Sequence, residues 1–268
     1  MSMTPKLNLS PESGSFVWPF KINTDKIIKA EANCLIFTEQ LENGTSAVMK
    51  MYYRRGLANV AREFVLNFRV QREFRILRHL ANCEIPCTIP LFWTYGYCKQ
   101  YGFYEVLCTR QIPNTISFRT FLSSGSITDK NIDLGPLMVL VYNMHRSGVY
   151  HGALSTKNIL IDATGNAQTK CYHIDLARGW LFPSSILGKQ IAWFDLLKLV
   201  KKIESRLGVG YCLPYLSLYG LGEKAIQKFY RDAGRYKSTS RKHKRLKNVM
   251  KVKVFFSATL THLNQRVH

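Results

Sequence analysis

The segment His151-Gly-Ala-Leu-Ser-Thr-Lys-Asn-Ile-Leu-Ile161, followed by Tyr172-His-Ile-Asp-Leu176, decides the reading of this chain. It places an amide side chain, Asn158, just ahead of a short apolar run, and a carboxylate, Asp175, directly after the apolar Ile174. Asn158–Ile161 and Cys171–Ile174 read as two short strands around a turn at Gly165-Asn166. An amide oxygen and a carboxylate are hard donors suited to Mg²⁺, and the spacing supports a metal role for both.

Loops of this pattern in kinase-like folds run His-(Arg/Gly)-Asp-Leu, four further residues, then Asn. The Asp is the base that orients and deprotonates the acceptor hydroxyl. Here that position is Ala153, which cannot act as a base. His151 is expected to anchor the loop by hydrogen bonds and not to transfer protons. Ser155 and Lys157 are the neighbours able to orient an acceptor or touch a terminal phosphate. His145, ending the preceding helix, reads as a capping or core histidine. Asp195 resembles the buried aspartate that pins such a loop; a helix-face carboxylate among lysines is the equal alternative.

Phosphoryl transfer also needs the nucleotide held. Lys50 ends the strand segment Ala47-Val-Met-Lys50, where kinases place the lysine that reaches the phosphates. Its expected partner is Glu73 on the following helix, with Glu63 as the alternative. No Gly-x-Gly-x-x-Gly precedes Lys50, so phosphate cover must come from a less regular turn between Ala30 and Cys34.

The flanking elements suit this reading. Cys34–Leu41 and Thr45–Tyr53 are strands around Asn43-Gly44, a dipeptide that favours a tight turn. A helix fits Arg62 to Leu80, with Val70, Phe74 and Leu77 at helical spacing, and Cys87–Tyr97 and Gly102–Cys108 are two more strands. Further on, Leu137, Leu140, Val141 and Met144 form one apolar helix face, stopped at Gly148. A later helix carries Asp195 with Leu196, Val200, Ile203 and Leu207 on one face. The expectation is an α+β, two-lobed fold: lead-in 1–30, a small antiparallel-sheet lobe 31–110, a mostly helical large lobe 111–234, and a basic tail 235–268.

Composition bounds the rest. The 268 residues are 46% hydrophobic, enough for a sizeable core. No run of 18 apolar residues occurs, and the start, Met1-Ser-Met-Thr-Pro-Lys, has no apolar signal region, which gives a cytoplasmic expectation. Seven cysteines, with Cys83 and Cys87 the nearest pair, argue for reduced thiols over a zinc site. The net charge of +21, from 38 Lys+Arg against 17 Asp+Glu, calls for an anionic partner. The tail carries nine cations from Arg235 to Lys253 and no acid among them.

The motifs together resemble the lipopolysaccharide core kinases, the group that includes Kdo and heptose kinases, from about Ser46 to Leu199. Tyr52-Tyr-Arg-Arg-Gly-Leu57 is similar to the Tyr-Arg-Gly-Gly-Leu type run of Kdo kinases. Arg72-Glu-Phe-Arg-Ile-Leu77, then Ile85-Pro86 and Ile89-Pro90, is similar to their helix and the turn beyond it. Met144-His-Arg-Ser-Gly-Val-Tyr-His-Gly152, with Asn158-Ile-Leu and Ile174-Asp175, is similar to their loop and metal segment. The resemblance implies a protein-kinase-like fold, ATP and Mg²⁺ as cofactors, Lys50 and Glu73 at the nucleotide, and Asn158 and Asp175 at the metal. It implies that Arg54-Arg55 faces an anionic acceptor. It implies a phosphorylated or acidic glycolipid, the lipopolysaccharide core, as partner, and work at the anionic inner face of the cytoplasmic membrane. The alternative function is a pseudokinase, a nucleotide-binding or empty scaffold that regulates a partner. A nucleic-acid partner held by the 235–253 tail is set aside.

Overall fold

The computed structural model describes residues 24–54, 69–124, 132–162 and 170–234. The Glu63 alternative, Arg55, residues 62–68 of the expected 62–80 helix, the Gly165-Asn166 turn and the basic tail lie outside the described residues. The chain divides into two compact units: residues 1–78 with 88–113, and residues 79–87 with 114–268.

The first unit holds a five-stranded antiparallel sheet of β1 (Ile27–Glu31), β2 (Cys34–Gln40), β3 (Ser46–Arg54), β4 (Pro90–Cys98) and β5 (Gly102–Arg110), and helix α1 (Arg69–Asn82) up to Arg78, its last turn being counted with the second unit. The order across the sheet is β1-β2-β3-β5-β4. The hairpin at Asn43-Gly44 forms as expected: Gly44 adopts φ 77°, its N–H donates to Leu41 O at 2.8 Å, and Asn43 Oδ1 accepts from Thr45 N at 3.0 Å. On one sheet face Leu35, Phe37, Ala47, Met49, Met51, Tyr104, Val106 and Cys108 form a buried cluster. Lys50 and Tyr52 alternate onto the other face. β5, between β3 and β4, is buried from Phe103 to Thr109, and its apolar run to Cys108 is broken only by Glu105.

Two boundaries differ from the sequence reading. β1 begins at Ile27, within the expected 1–30 lead-in, and runs to Glu31; it is mostly exposed and carries Lys29 and Glu31, so no apolar alternation marks it. β4 starts at Pro90, not Cys87, because proline fits the first residue of an edge strand and cannot donate within the ladder.

The second unit comprises β6 (Thr115–Ser117), α2 (Phe118–Phe121), α3 (Gly135–Arg146), β7 (Val149–Tyr150), β8 (Ile159–Asp162), β9 (Cys171–His173), β10 (Trp180–Leu181), α4 (Gln190–Leu207) and α5 (Glu223–Gly234). All four expected core residues of α3 are buried. Past its end, Gly148 takes φ 84° with its N–H on His145 O. A Cβ there would lie 2.5 Å from Phe182 O, so only glycine serves. β6, β8 and β9 form a three-stranded sheet, with Ile159 opposite His173 and Ile161 opposite Cys171. α4 buries Leu196, Val200 and Ile203 together with Asp195.

Candidate functional site

The loop 151–158 is shaped by its backbone. Asp195, fully buried on α4, accepts through Oδ2 from His151 N at 2.8 Å and from Gly152 N at 3.1 Å. Burial alone would raise the Asp195 carboxyl. Its neighbour His145, then His151 and Lys198, hold it below the ordinary value instead. His145 Nε2 stands 3.8 Å from Asp195 Oδ2, while its Nδ1 meets the Tyr219 hydroxyl at 2.5 Å. His145 is thus the core histidine expected, and Asp195 is the loop-pinning carboxylate.

Gly152 fits only as glycine. It has φ 74°, and a Cβ would meet Arg178 O at 2.1 Å. The loop and the segment after Asp175 are pressed backbone to backbone at this point.

His151 anchors the loop through its backbone. The ring is buried, and neither nitrogen finds a hydrogen-bond partner among the described residues; the bond that anchors the loop comes from the backbone N–H. The imidazole packs edge-on against His173 at 5.8 Å. Burial lowers the pKa of both rings, that of His173 to about 3, so both are neutral. Two imidazolium charges at this spacing would repel, so the rings meet as neutral groups while the backbone N–H of His151 holds the loop.

Asn158 ends a single 3₁₀ turn (Thr156–Asn158) and is buried. Its Nδ2 donates to Ala153 O at 2.9 Å, which leaves Oδ1 as the acceptor of the amide, and its own carbonyl accepts from Ile174 N at 3.2 Å. Asn158 precedes β8 and Asp175 lies two residues past β9, so the ladder holds the two at neighbouring strand ends. Asp175 adopts φ 58°, one of three non-glycine residues with positive φ among the described residues. Such a conformation costs of order 1–3 kcal/mol and persists where the surroundings impose it. Lys157, on the same turn, is exposed and forms no ion pair among the described residues. The Ser155 hydroxyl is buried without a partner among them.

In the first unit, Lys50 Nζ contacts both carboxylate oxygens of Glu73 at 3.1 Å. Glu73 is 1% exposed, so this is a nearly buried charge pair. Lys50 also sits 5.3 Å above the Tyr52 ring, whose hydroxyl is pushed up to about 12 by burial. The sequence reading missed Glu105. Buried on β5, it accepts Val70 N at 3.1 Å and so tethers α1 one turn before Glu73. The signal was available: a carboxylate inside the apolar run Gly102–Cys108.

The donor set suits Mg²⁺: one amide oxygen freed by its own hydrogen bond and one carboxylate, with further positions to come from phosphates and water. No cluster of three His, Cys, Asp or Glu able to hold a metal without a nucleotide exists among the described residues.

Comparison with known proteins bears on these features. A solved structure described as WaaP in complex with acyl carrier protein is similar over 82% of this chain and 88% of that one, with TM-score 0.58 and 15% identity. Two structures of the Rio2 kinase from Chaetomium thermophilum also align. The ADP/Mg²⁺-phosphoaspartate complex does so over 87% of this chain and 71% of that one, at 13% identity and TM-score 0.48. The other does so over 79% and 71%, at 15% identity and TM-score 0.49. No curated protein matches the sequence. The WaaP likeness establishes the protein-kinase-like fold. The family model of the lipopolysaccharide kinases matches residues 28–185, over half of the chain, and spans both the Lys50–Glu73 pair and the 151–175 loop. The chain therefore belongs to the lipopolysaccharide kinase (Kdo/WaaP) family.

Proposed function

We propose that this protein is an ATP-dependent phosphotransferase acting on a sugar of the lipopolysaccharide core. The observation that carries the reading is the nearly buried Lys50–Glu73 pair. Burying a lysine against a carboxylate costs desolvation that a decayed site has no reason to retain. Lys50 would orient the nucleotide phosphates, fixed by Glu73 and, through Val70, by Glu105. Asn158 and Asp175 would hold Mg²⁺. Bound there, the ion neutralises charge on the transferring phosphoryl group.

Ala153 stands where a base would accept the acceptor proton. General-base help contributes about 10²–10⁴-fold, while positioning and electrostatics supply most of phosphoryl transfer, so transfer proceeds slowly without it. Lys157, exposed on the loop, is the group left to orient the acceptor, since the Ser155 hydroxyl is buried. The net charge of +21 fits an acidic, phosphorylated acceptor at an anionic membrane surface. No helix among the described residues is long and apolar enough to cross a membrane, so the association proposed is peripheral.

One observation favours a second reading. Ala153 would also suit a pseudokinase that binds nucleotide and regulates a partner. The test follows labelled γ-phosphate from ATP to Kdo- or heptose-containing core acceptors, wild type beside Asp175→Asn. Transfer lost in the variant supports the enzyme. No transfer by either, with both restoring a deletion strain, supports the scaffold.

A further inference from the structure

Between α4 and α5 the chain runs fifteen residues, Gly208 to Gly222, without one charged side chain, in a protein with 38 cations. The segment is built and not merely loose. Cys212, Leu216 and Tyr219 are buried beneath it. Glu204 Oε1 accepts from Gly210 N (3.1 Å), Cys212 N (3.3 Å) and the Tyr230 hydroxyl (2.5 Å). Tyr211 and Tyr215 direct their hydroxyls to the Ile132 carbonyl, each at 3.2 Å. Successive backbone turns, such as Leu213 N to Gly210 O and Leu218 N to Tyr215 O, keep the coil compact.

On this frame three aliphatic side chains point outward: Val209 is 92% exposed, Leu213 50% and Leu218 48%. Single exposed leucines are ordinary. Three within ten residues, on an uncharged scaffold fastened from below, are not explained by the fold. Cations frame both roots. Lys202 and Arg206, four apart on one face of α4, and Lys224 in the first turn of α5 are exposed; Glu223 is the acid beside them. The exposed tips offer almost no polar group that would fix the register of a protein partner, whereas a bilayer buries aliphatic tips without directional contacts.

We infer that residues 208–222 form a membrane-docking surface, with Val209, Leu213 and Leu218 entering the interfacial layer of an anionic bilayer and Lys202, Arg206 and Lys224 at its headgroups. The inference deepens the phosphotransferase reading, on which it rests for its purpose: it brings the chain to the surface where a glycolipid acceptor lies.

The test is co-sedimentation of the full chain with phosphatidylglycerol-containing vesicles and with neutral phosphatidylcholine vesicles. Wild type is compared with the triple variant Val209→Ser, Leu213→Ser, Leu218→Ser. At about 1 M salt, charge is screened to about 3 Å, so the cationic tail contributes little and the aliphatic contribution is isolated. The triple variant is expected to partition at least about ten-fold more weakly at both low and high salt. Replacing Lys202 and Arg206 by Gln is expected to cost up to about thirty-fold at low salt only, at about 1 kcal/mol per cation. Mg·ATP binding, measured on the same preparations, is expected to be unchanged in both variants. That separates this surface from the nucleotide site, whose failure would appear as no nucleotide binding in any of them. A triple variant that sediments like wild type overturns the inference. So does one that converts a wild-type dimer to a monomer, since a second copy would then be the occupant. A wild type that ignores vesicles also overturns it and leaves a protein partner or residues 235–268 as the cover.

Discussion

Asp195 Oδ2 accepts the backbone N–H groups of both His151 and Gly152, at 2.8 and 3.1 Å, so one buried carboxylate fixes the loop that carries Ala153. Both donors lie inside the protein, and the acceptor has no water to replace it. Asp195→Asn keeps an acceptor but loses the charge, and is expected to cost about 1–3 kcal/mol. Asp195→Ala leaves two buried donors unpaired and is expected to cost about 3–5 kcal/mol. Urea unfolding monitored by tryptophan fluorescence measures both.

Gly152 and Gly188 share φ 74°, but a Cβ at Gly152 would stand 2.1 Å from Arg178 O while Gly188 has nothing within 4 Å. Gly188→Ala is expected to cost only the left-handed backbone penalty, about 1–2 kcal/mol. Gly152→Ala must also displace a carbonyl, and is expected to cost at least about 2 kcal/mol more. Thermal unfolding of the pair isolates the steric part.

Acid should loosen the same region. His173 has a folded pKa of about 3 against 6.5 when exposed, and that of His151 is lowered as well. Below pH 6.5 the unfolded chain takes up protons that the folded chain refuses. The stability is therefore present above pH 6.5 and falls as pH drops toward about 3, by about 1.4 kcal/mol per pH unit for one such ring. The depressed Asp195 carboxyl acts in the same direction, but only below its own ordinary value of 3.8. The urea midpoint is expected to fall between pH 7 and pH 5, and His173→Gln, which does not titrate, is expected to flatten that slope.

Restoring a carboxylate at 153 tests the catalytic loop. Asn158 Nδ2 already holds the Ala153 carbonyl, so the backbone geometry is in place for a side chain there. Ala153→Asp is expected to raise the transfer rate by about 10²-fold or more, within the range general-base help supplies. A rate equal to wild type in a folded variant would argue that position 153 does not face the acceptor.

Much of this was legible in the sequence because the informative residues break a local pattern. Asn43-Gly44 announces a hairpin, Gly148 a helix stop, and Asp175 an acid where an apolar strand ends. Asp195 was readable only as an even choice, since nothing in a helix sequence says whether a carboxylate faces solvent or a loop 44 residues away. β1 escaped because an edge strand with Lys29 and Glu31 exposed needs no apolar alternation. Which part of His151 makes the anchoring bond was not legible, for a related reason. The residue does hold the loop, but through an N–H that every residue at that position would carry. The Arg178 carbonyl over Gly152 is a long-range backbone contact, and sequence carries no trace of it beyond the glycine itself.

The most direct test of the central claim is calorimetric titration of Mg·ATP into wild type and Asp175→Asn. Metal-dependent binding by wild type, weakened at least about ten-fold in the variant, is the expected result for a carboxylate that ligates the nucleotide-bound metal. Absence of binding at millimolar nucleotide, or binding that ignores both Mg²⁺ and the Asp175 substitution, would contradict the phosphotransferase account.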